Sequence, residues 1–162
     1  MLIGKKMQDA MNEQVKNELY SANLYLAMAI HFENEGLMVF ADWFYKQAKE
    51  EEEHAMKFIK YITETGGKAI VPEIPKPKNE FNSAEEITQM ALEHEMKVTE
   101  MINKLVELAK SENDNSALQF LQWFVAEQVE EVANADQLLK IVQRAGEKNL
   151  LQAQNFITRG EE

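Results

Sequence analysis

The chain contains no cysteine. That absence removes disulfides, thiolate nucleophiles and thiolate metal sites together, so any transition metal must be held by His, Asp and Glu. Proline and glycine are scarce, at three and six residues, which leaves room for long uninterrupted elements. No apolar run approaches the ~20 residues of a membrane span, so no membrane is expected. The start, Met1-Leu2-Ile3-Gly4-Lys5-Lys6, turns polar too soon for a secretion signal, and the cytoplasm is the expected location. Cations are outnumbered, 17 Lys and Arg against 28 Asp and Glu, giving a net charge of −11. A phosphate backbone is therefore a poor partner and nucleic acid is not expected; free cations are attracted instead.

What remains is a 162-residue chain, 45% apolar, enough for one domain with a sizeable core (1–162). Apolar residues recur at helical spacing in four long segments, about 5–34, 37–65, 83–111 and 116–145, followed by a short amphipathic tail over about 148–158. Each long segment makes roughly 45 Å of helix. Ser83-Ala84-Glu85-Glu86 reads as a capping box at the third start, and Gly36, Gly66-Gly67 and Gly146 mark stops. The first and second helices are joined by a tight turn, as are the third and fourth. Residues 67–82, which hold all three prolines, are too many for such a turn. Sixteen extended residues reach about 50 Å, the length of the bundle. The expected fold is all-α: a four-helix bundle with a long crossover between helices two and three, plus a short fifth helix.

Polar residues break the apolar stripes at regular positions. Glu18 is followed in the next helix by Glu51, which opens a Glu51-x-x-His54 pair. Glu95 is followed, at the same interval, by Gln128, which opens a Gln128-x-x-Glu131 pair. The two halves of the chain thus carry one layout twice. A Glu-x-x-His alone is commonly a solvated pair. Four carboxylates on buried faces are different, because an unpaired buried carboxylate is costly. One Glu from each of two helices, with a Glu-x-x-His from each of the others, is the established ligand pattern of di-iron carboxylate bundles. Here the fourth element departs from it. Carboxylates bridge hard cations and imidazole suits iron or zinc, so Glu51 is the expected bridge. Glu18 and His54 would complete one position, Glu95 and Glu131 the other, with Gln128 a weak ligand at most, or a residue that orients a water or dioxygen by hydrogen bonding.

At Asn17-Glu18-Leu19-Tyr20-Ser21, Glu50 to His54, His94-Glu95 and Phe120 to Glu131 the chain resembles the non-haem bacterial and archaeal ferritins, over nearly all its length. The resemblance implies a homo-oligomeric shell of twenty-four subunits that oxidises Fe(II) with dioxygen or hydrogen peroxide at a di-iron centre and stores ferric mineral. It implies ferroxidase ligands Glu18, Glu51, His54, Glu95 and Glu131 beside Gln128, with Tyr25 near the pair. It also implies a third iron site at Glu50, Glu127 and Glu130, sharing Glu131. Trp123 is a candidate electron donor, and Glu112 and Asp114 are candidate pore residues. Haem is not expected, since Glu52 stands where haem-binding relatives carry Met after the Glu. Glu52 and Glu53 read as a solvated face, and the tail as a fifth helix near a fourfold axis. A rubrerythrin-like di-iron peroxidase is the alternative, but that class carries a cysteine-ligated iron domain and a second Glu-x-x-His. A storage subunit without oxidation would need a broken pair of metal positions, whereas these look complete, and a plain helical bundle would leave the buried polar stripe unexplained.

Overall fold

The computed structural model describes residues 2–157 and contains no strand among them. Four long helices dominate: α1 (Lys5–Asn34), α2 (Met38–Glu64), α3 (Ala84–Ser111) and α4 (Asn115–Ala145). α1 packs on α2, α3 on α4, and α1 on α3. Each hairpin turns where the backbone can take a positive φ, at Gly36 (φ 74°) and at Asn113 (φ 54°). The Asp114 side chain then starts α4 by accepting from the Ala117 N–H at 2.9 Å.

The path of the crossover follows from its contacts with α1. The Asn12 side chain bonds both Lys68 O (2.9 Å) and Ile70 N–H (2.8 Å), near the start of α1. Pro75 lines one hollow with Tyr20 and Leu24, further along that helix. Phe81 meets the His31 ring edge-on, near the end of α1. The segment therefore climbs along α1, and α3 descends parallel to α2.

Its lower end is wedged. The Leu2 N–H donates to Thr65 O at 2.8 Å, and a Cβ on Gly67 would meet Gln8 Oε1 and Ile3 Cγ2, each at 2.9 Å. At the upper end Ser83 Oγ accepts from Glu86 N–H at 3.0 Å, while the Glu86 carboxylate accepts from Asn82 N–H at 2.6 Å. The expected capping box thus closes one residue early, on the amide before Ser83 rather than on that of Ser83 itself.

The expected short fifth helix follows α4, in a shorter and interrupted form. Gly146 (φ 74°) ends α4, and the tail is broken into a 3-10 turn (Glu147–Asn149), one α-turn we call α5 (Leu150–Ala153) and a second 3-10 turn (Gln154–Phe156). So short a segment cannot sustain helix by propagation and is held by contacts instead. Leu150 and Ala153 enter the upper core, and Gln154 Oε1 accepts from Val39 N–H at 2.9 Å. The Glu147 carboxylate accepts from Ala84 N–H (3.3 Å) and Glu85 N–H (2.9 Å), placing a negative charge at the N-terminus of α3. Residue 158 lies outside the described residues.

The apolar core is divided. An upper cluster around Tyr25, Phe32, Phe40, Phe44 and Leu138 is separate from a lower one around Met7, Met11, Phe58, Ile102 and Phe124. Between them lies a layer of buried polar side chains.

A Gly67→Ala substitution is expected to destabilise the fold by about 1–3 kcal/mol, because the added methyl overpacks a closed corner. A lowered thermal midpoint of the metal-free protein, with helix content retained at low temperature, is the measurement that checks it.

Candidate metal centre

The polar layer is built by position along the helices. Glu18, Glu51, Glu95 and Glu131 each lie on the core-facing stripe of a different long helix, at the level where the apolar clusters part. All four are buried, none more than 3% exposed, and so are His54 and Gln128. Every Lys and Arg among the described residues lies outside the buried set. Nothing cationic and permanent is therefore at hand to neutralise the carboxylates.

Their ligand atoms fall into interlocking triples, each within 4.8 Å: Glu18, Glu51 and His54; Glu51, Glu95 and Glu131; and His54, Glu127 and Glu131. Glu51 belongs to the first two, the position a bridging carboxylate would need. His54 turns Nδ1 toward Glu51 Oε2 at 3.6 Å and Glu18 Oε2 at 3.9 Å. The buried Glu18 Oε2 has no hydrogen-bond partner. A buried carboxyl oxygen without a hydrogen-bond partner suits a cation that would complete it. The donor set of oxygens plus one imidazole nitrogen also suits divalent iron, manganese or zinc.

A ferritin-like domain model matches residues 8–145. The chain is 39% identical to a bacterial non-heme ferritin of Bacteroides fragilis over 149 residues, covering 92% of this chain and 94% of the relative. It is 36% identical to ferritin BfrB of Mycobacterium tuberculosis over 154 residues, covering 95% and 84%. This chain belongs to the ferritin family. Among solved structures, an open pore ferritin from the hyperthermophilic archaeon Archaeoglobus fulgidus superimposes on it with a TM-score of 0.93 at 38% identity, covering 98% of this chain and 99% of that one.

In this ferritin chain an outer ring of hydrogen bonds holds the carboxylates. Gln14 Nε2 donates to Glu18 Oε1 at 2.8 Å, and Gln47 Nε2 donates to Glu51 Oε1 (3.2 Å) and Glu131 Oε2 (2.5 Å). Tyr25 OH donates to Glu95 Oε1. Gln128 Nε2 lies 3.2 Å from both Glu95 Oε2 and Glu95 O, and 3.1 Å from Thr99 Oγ1. The network thus assigns the Gln128 amide nitrogen to the Glu95 side. Gln128 acts there as a donor to a carboxylate.

Gln14 and Gln47 were not singled out as site residues from the sequence. A signal was present, since each stands one helical turn before its Glu, and Gln14 and Gln47 are spaced as Glu18 and Glu51 are. Ala91 and Phe124 occupy the matching places in the second half, so this support belongs to the first half alone.

The three residues expected around a third iron diverge. Glu127 is half-buried and comes within 3.9 Å of His54 Nε2. Glu50 is half-buried and Glu130 is exposed; among the described residues neither joins a ligand-capable triple. Trp123 lies edge-on to His54 with ring centres 5.4 Å apart, and the Lys57 ammonium sits 4.0 Å above it. Glu112 approaches Lys6 at 3.8 Å, and Asp114 is the α4 cap already described.

Burial pushes the Glu18 and Glu51 carboxyls well above their ordinary range, with Glu51 adding to the shift of Glu18 and Glu95 to that of Glu51. Burial also raises Glu95, and raises Glu131 to about 8 with Glu95 adding to the push. These groups hold protons in the folded metal-free protein that the unfolded chain releases. Their contribution to stability is present below the ordinary value of 4.5 and is lost as pH climbs through the folded value, about 8 for Glu131. The metal-free protein is therefore expected to lose thermal stability from about pH 5 to pH 8.5. Glu131→Gln should flatten that fall while weakening divalent-metal binding. Melting curves across this range, with Zn(II) titrations of both proteins, check it.

Proposed function

We propose that this protein is an iron-storage subunit with ferroxidase activity. It takes up two Fe(II) ions side by side in the polar layer, oxidises them, and passes Fe(III) to a mineral kept inside a shell of identical subunits, twenty-four by family likeness. The observation that carries this reading is the pair of carboxylate-rich triples sharing Glu51, in a layer where no Lys or Arg of the described residues is buried beside them. Family membership supplies the chemistry suited to such a site.

Glu51 bridges the two substrate ions. Glu18 and His54 Nδ1 complete the first position, and Glu95 and Glu131 the second. Binding requires the buried carboxyls to give up their protons, so ion uptake releases protons. Each Fe(II) then yields one electron, and the two electrons with two protons reduce the co-substrate, dioxygen to hydrogen peroxide or hydrogen peroxide to two waters. Gln14, Gln47, Tyr25 and Gln128 keep the carboxylates oriented through their hydrogen bonds. That preorganisation lowers the cost of collecting four like charges. The two positions are unequal, because only the first has an imidazole. A rubrerythrin-like peroxidase is disfavoured by the absence of cysteine and by Gln128 and Glu131 in the fourth element.

Fe(II) added aerobically to the purified metal-free protein should be oxidised far faster than in the buffer blank and should leave an iron-filled particle of shell size. Glu51→Ala and His54→Ala are each expected to slow the initial rate at least about 10-fold while the shell stays assembled, since losing even an outer partner of a metal ligand typically costs about 10–100-fold. Stopped-flow absorbance paired with light scattering makes the measurement, and unchanged initial rates in both variants would remove the site assignment.

A further inference from the structure

Tyr25 OH donates to Glu95, and both residues are buried. Two rings pack against the phenol: Phe44 of α2, tilted at 6.1 Å, and His94 of α3, perpendicular at 5.8 Å. His94 directly precedes Glu95, so one stretch of α3 supplies both the acid and a ring that abuts its hydrogen-bond donor.

His94 is itself tied to α1. Its Nε2 lies 2.6 Å from Ser21 Oγ, and Ser21 stands one helical turn before Tyr25. The Ser21 hydroxyl has a single proton, which it donates to Asn17 O at 2.9 Å. Nε2 must then carry the imidazole proton and donate to Ser21 Oγ, so the network assigns the tautomer. Ser21 is fully buried, and its bond to His94 is therefore little contested by water. On another side His94 lines a hollow of about 510 Å³ between α1 and α3, with Lys16, Pro75 and Lys97 among the other walls. Tyr25 is not one of those walls. His94 stands between the hollow and the tyrosine.

We infer that His94 is a positioning residue for the second cation position, acting through Tyr25. Ser21 fixes the imidazole, the imidazole and Phe44 fix the phenol, and the phenol orients Glu95. The same imidazole keeps water in the hollow away from the bond between Tyr25 and Glu95. The inference rests on the paired-cation reading above. It makes the two positions depend on different histidines: the first takes His54 as a ligand, and the second takes His94 as a support two contacts removed. Outer partners of a metal ligand are typically worth about 10–100-fold in metal affinity.

Anaerobic Co(II) titration of the assembled metal-free protein, followed by visible absorption, reads the two positions without any turnover. Tyr25→Phe and His94→Ala should each weaken the same single Co(II), the one outside the imidazole-bearing position, by about 10-fold or more. Ser21→Ala deletes one hydroxyl and leaves every ring in place. It should weaken that ion by about 2–10-fold, the net worth of a hydrogen bond, and it serves as the probe should His94→Ala fail to assemble. The decisive comparison is the double variant: once Tyr25 is Phe, His94→Ala should cost no more than about a further 2-fold. Three results would overturn the role of His94. They are unaltered binding in both His94→Ala and Ser21→Ala, equal weakening of both ions, and a full His94→Ala effect that persists beside Tyr25→Phe. A His54→Ala variant reads the underlying pair separately: if it binds Co(II) with the same number and affinity as the unsubstituted protein, the paired-cation reading fails first.

Discussion

Four carboxylates share one layer between two apolar cores, and among the described residues no lysine or arginine is buried with them. Coulomb repulsion at such distances is large once water is excluded, and each charge also loses its hydration. A folded chain can tolerate this in two ways. Protons can neutralise the acids, which the upward-shifted Glu18, Glu51, Glu95 and Glu131 reflect. Divalent cations can replace the protons and convert repulsion into coordination. A site that alternates between these conditions binds ions without assembling anything new, because the helices already hold the ligands in register.

The remainder of the fold answers to that layer. The bundle maintains it with two separate apolar cores, rich in aromatic residues, stacked above and below. Phe32 stacks on Phe40 with ring centres 4.9 Å apart, and Phe58 stacks on Phe124 at 4.3 Å. These contacts supply the apolar burial that the middle of the bundle gives up. The crossover along α1 makes α2 and α3 parallel, so the two hairpins meet as like-oriented halves with their acids at one height. The amide donors of Gln14 and Gln47 hold three of the acids, Glu18, Glu51 and Glu131, in place.

Much of this was legible in the sequence because helical spacing fixes which side chains share a face. The period of the apolar stripes placed Glu18, Glu51, Glu95 and Glu131 among core positions, and the proline-bearing stretch of 67–82 was too long for a hairpin. The all-α bundle with its crossover followed from those two facts. Other features depended on contacts between distant segments. Glu147 reaching the start of α3, or Glu127 meeting His54, has no periodic signature. The tail read as amphipathic helix, yet its conformation is set by where Leu150, Ala153 and Gln154 find partners on the bundle. The role of Gln128 was open from spacing alone, since a glutamine can offer oxygen or nitrogen. It was the neighbouring Glu95 and Thr99 that decided which end faces them.

The stacked rings above and below the acids act as plugs. An ion cannot travel along the bundle axis through Phe44 and Tyr25 on one side or Phe58 and Phe124 on the other. Half-buried carboxylates flank the layer: Glu50 on α2, whose charge bears on Glu95 and Glu131, and Glu127 on α4, which shares a ligand-capable triple with His54 and Glu131. An ion held in the polar layer would thus be closed off along the bundle axis by rings at both ends, which leaves the sides of the bundle as its way in or out.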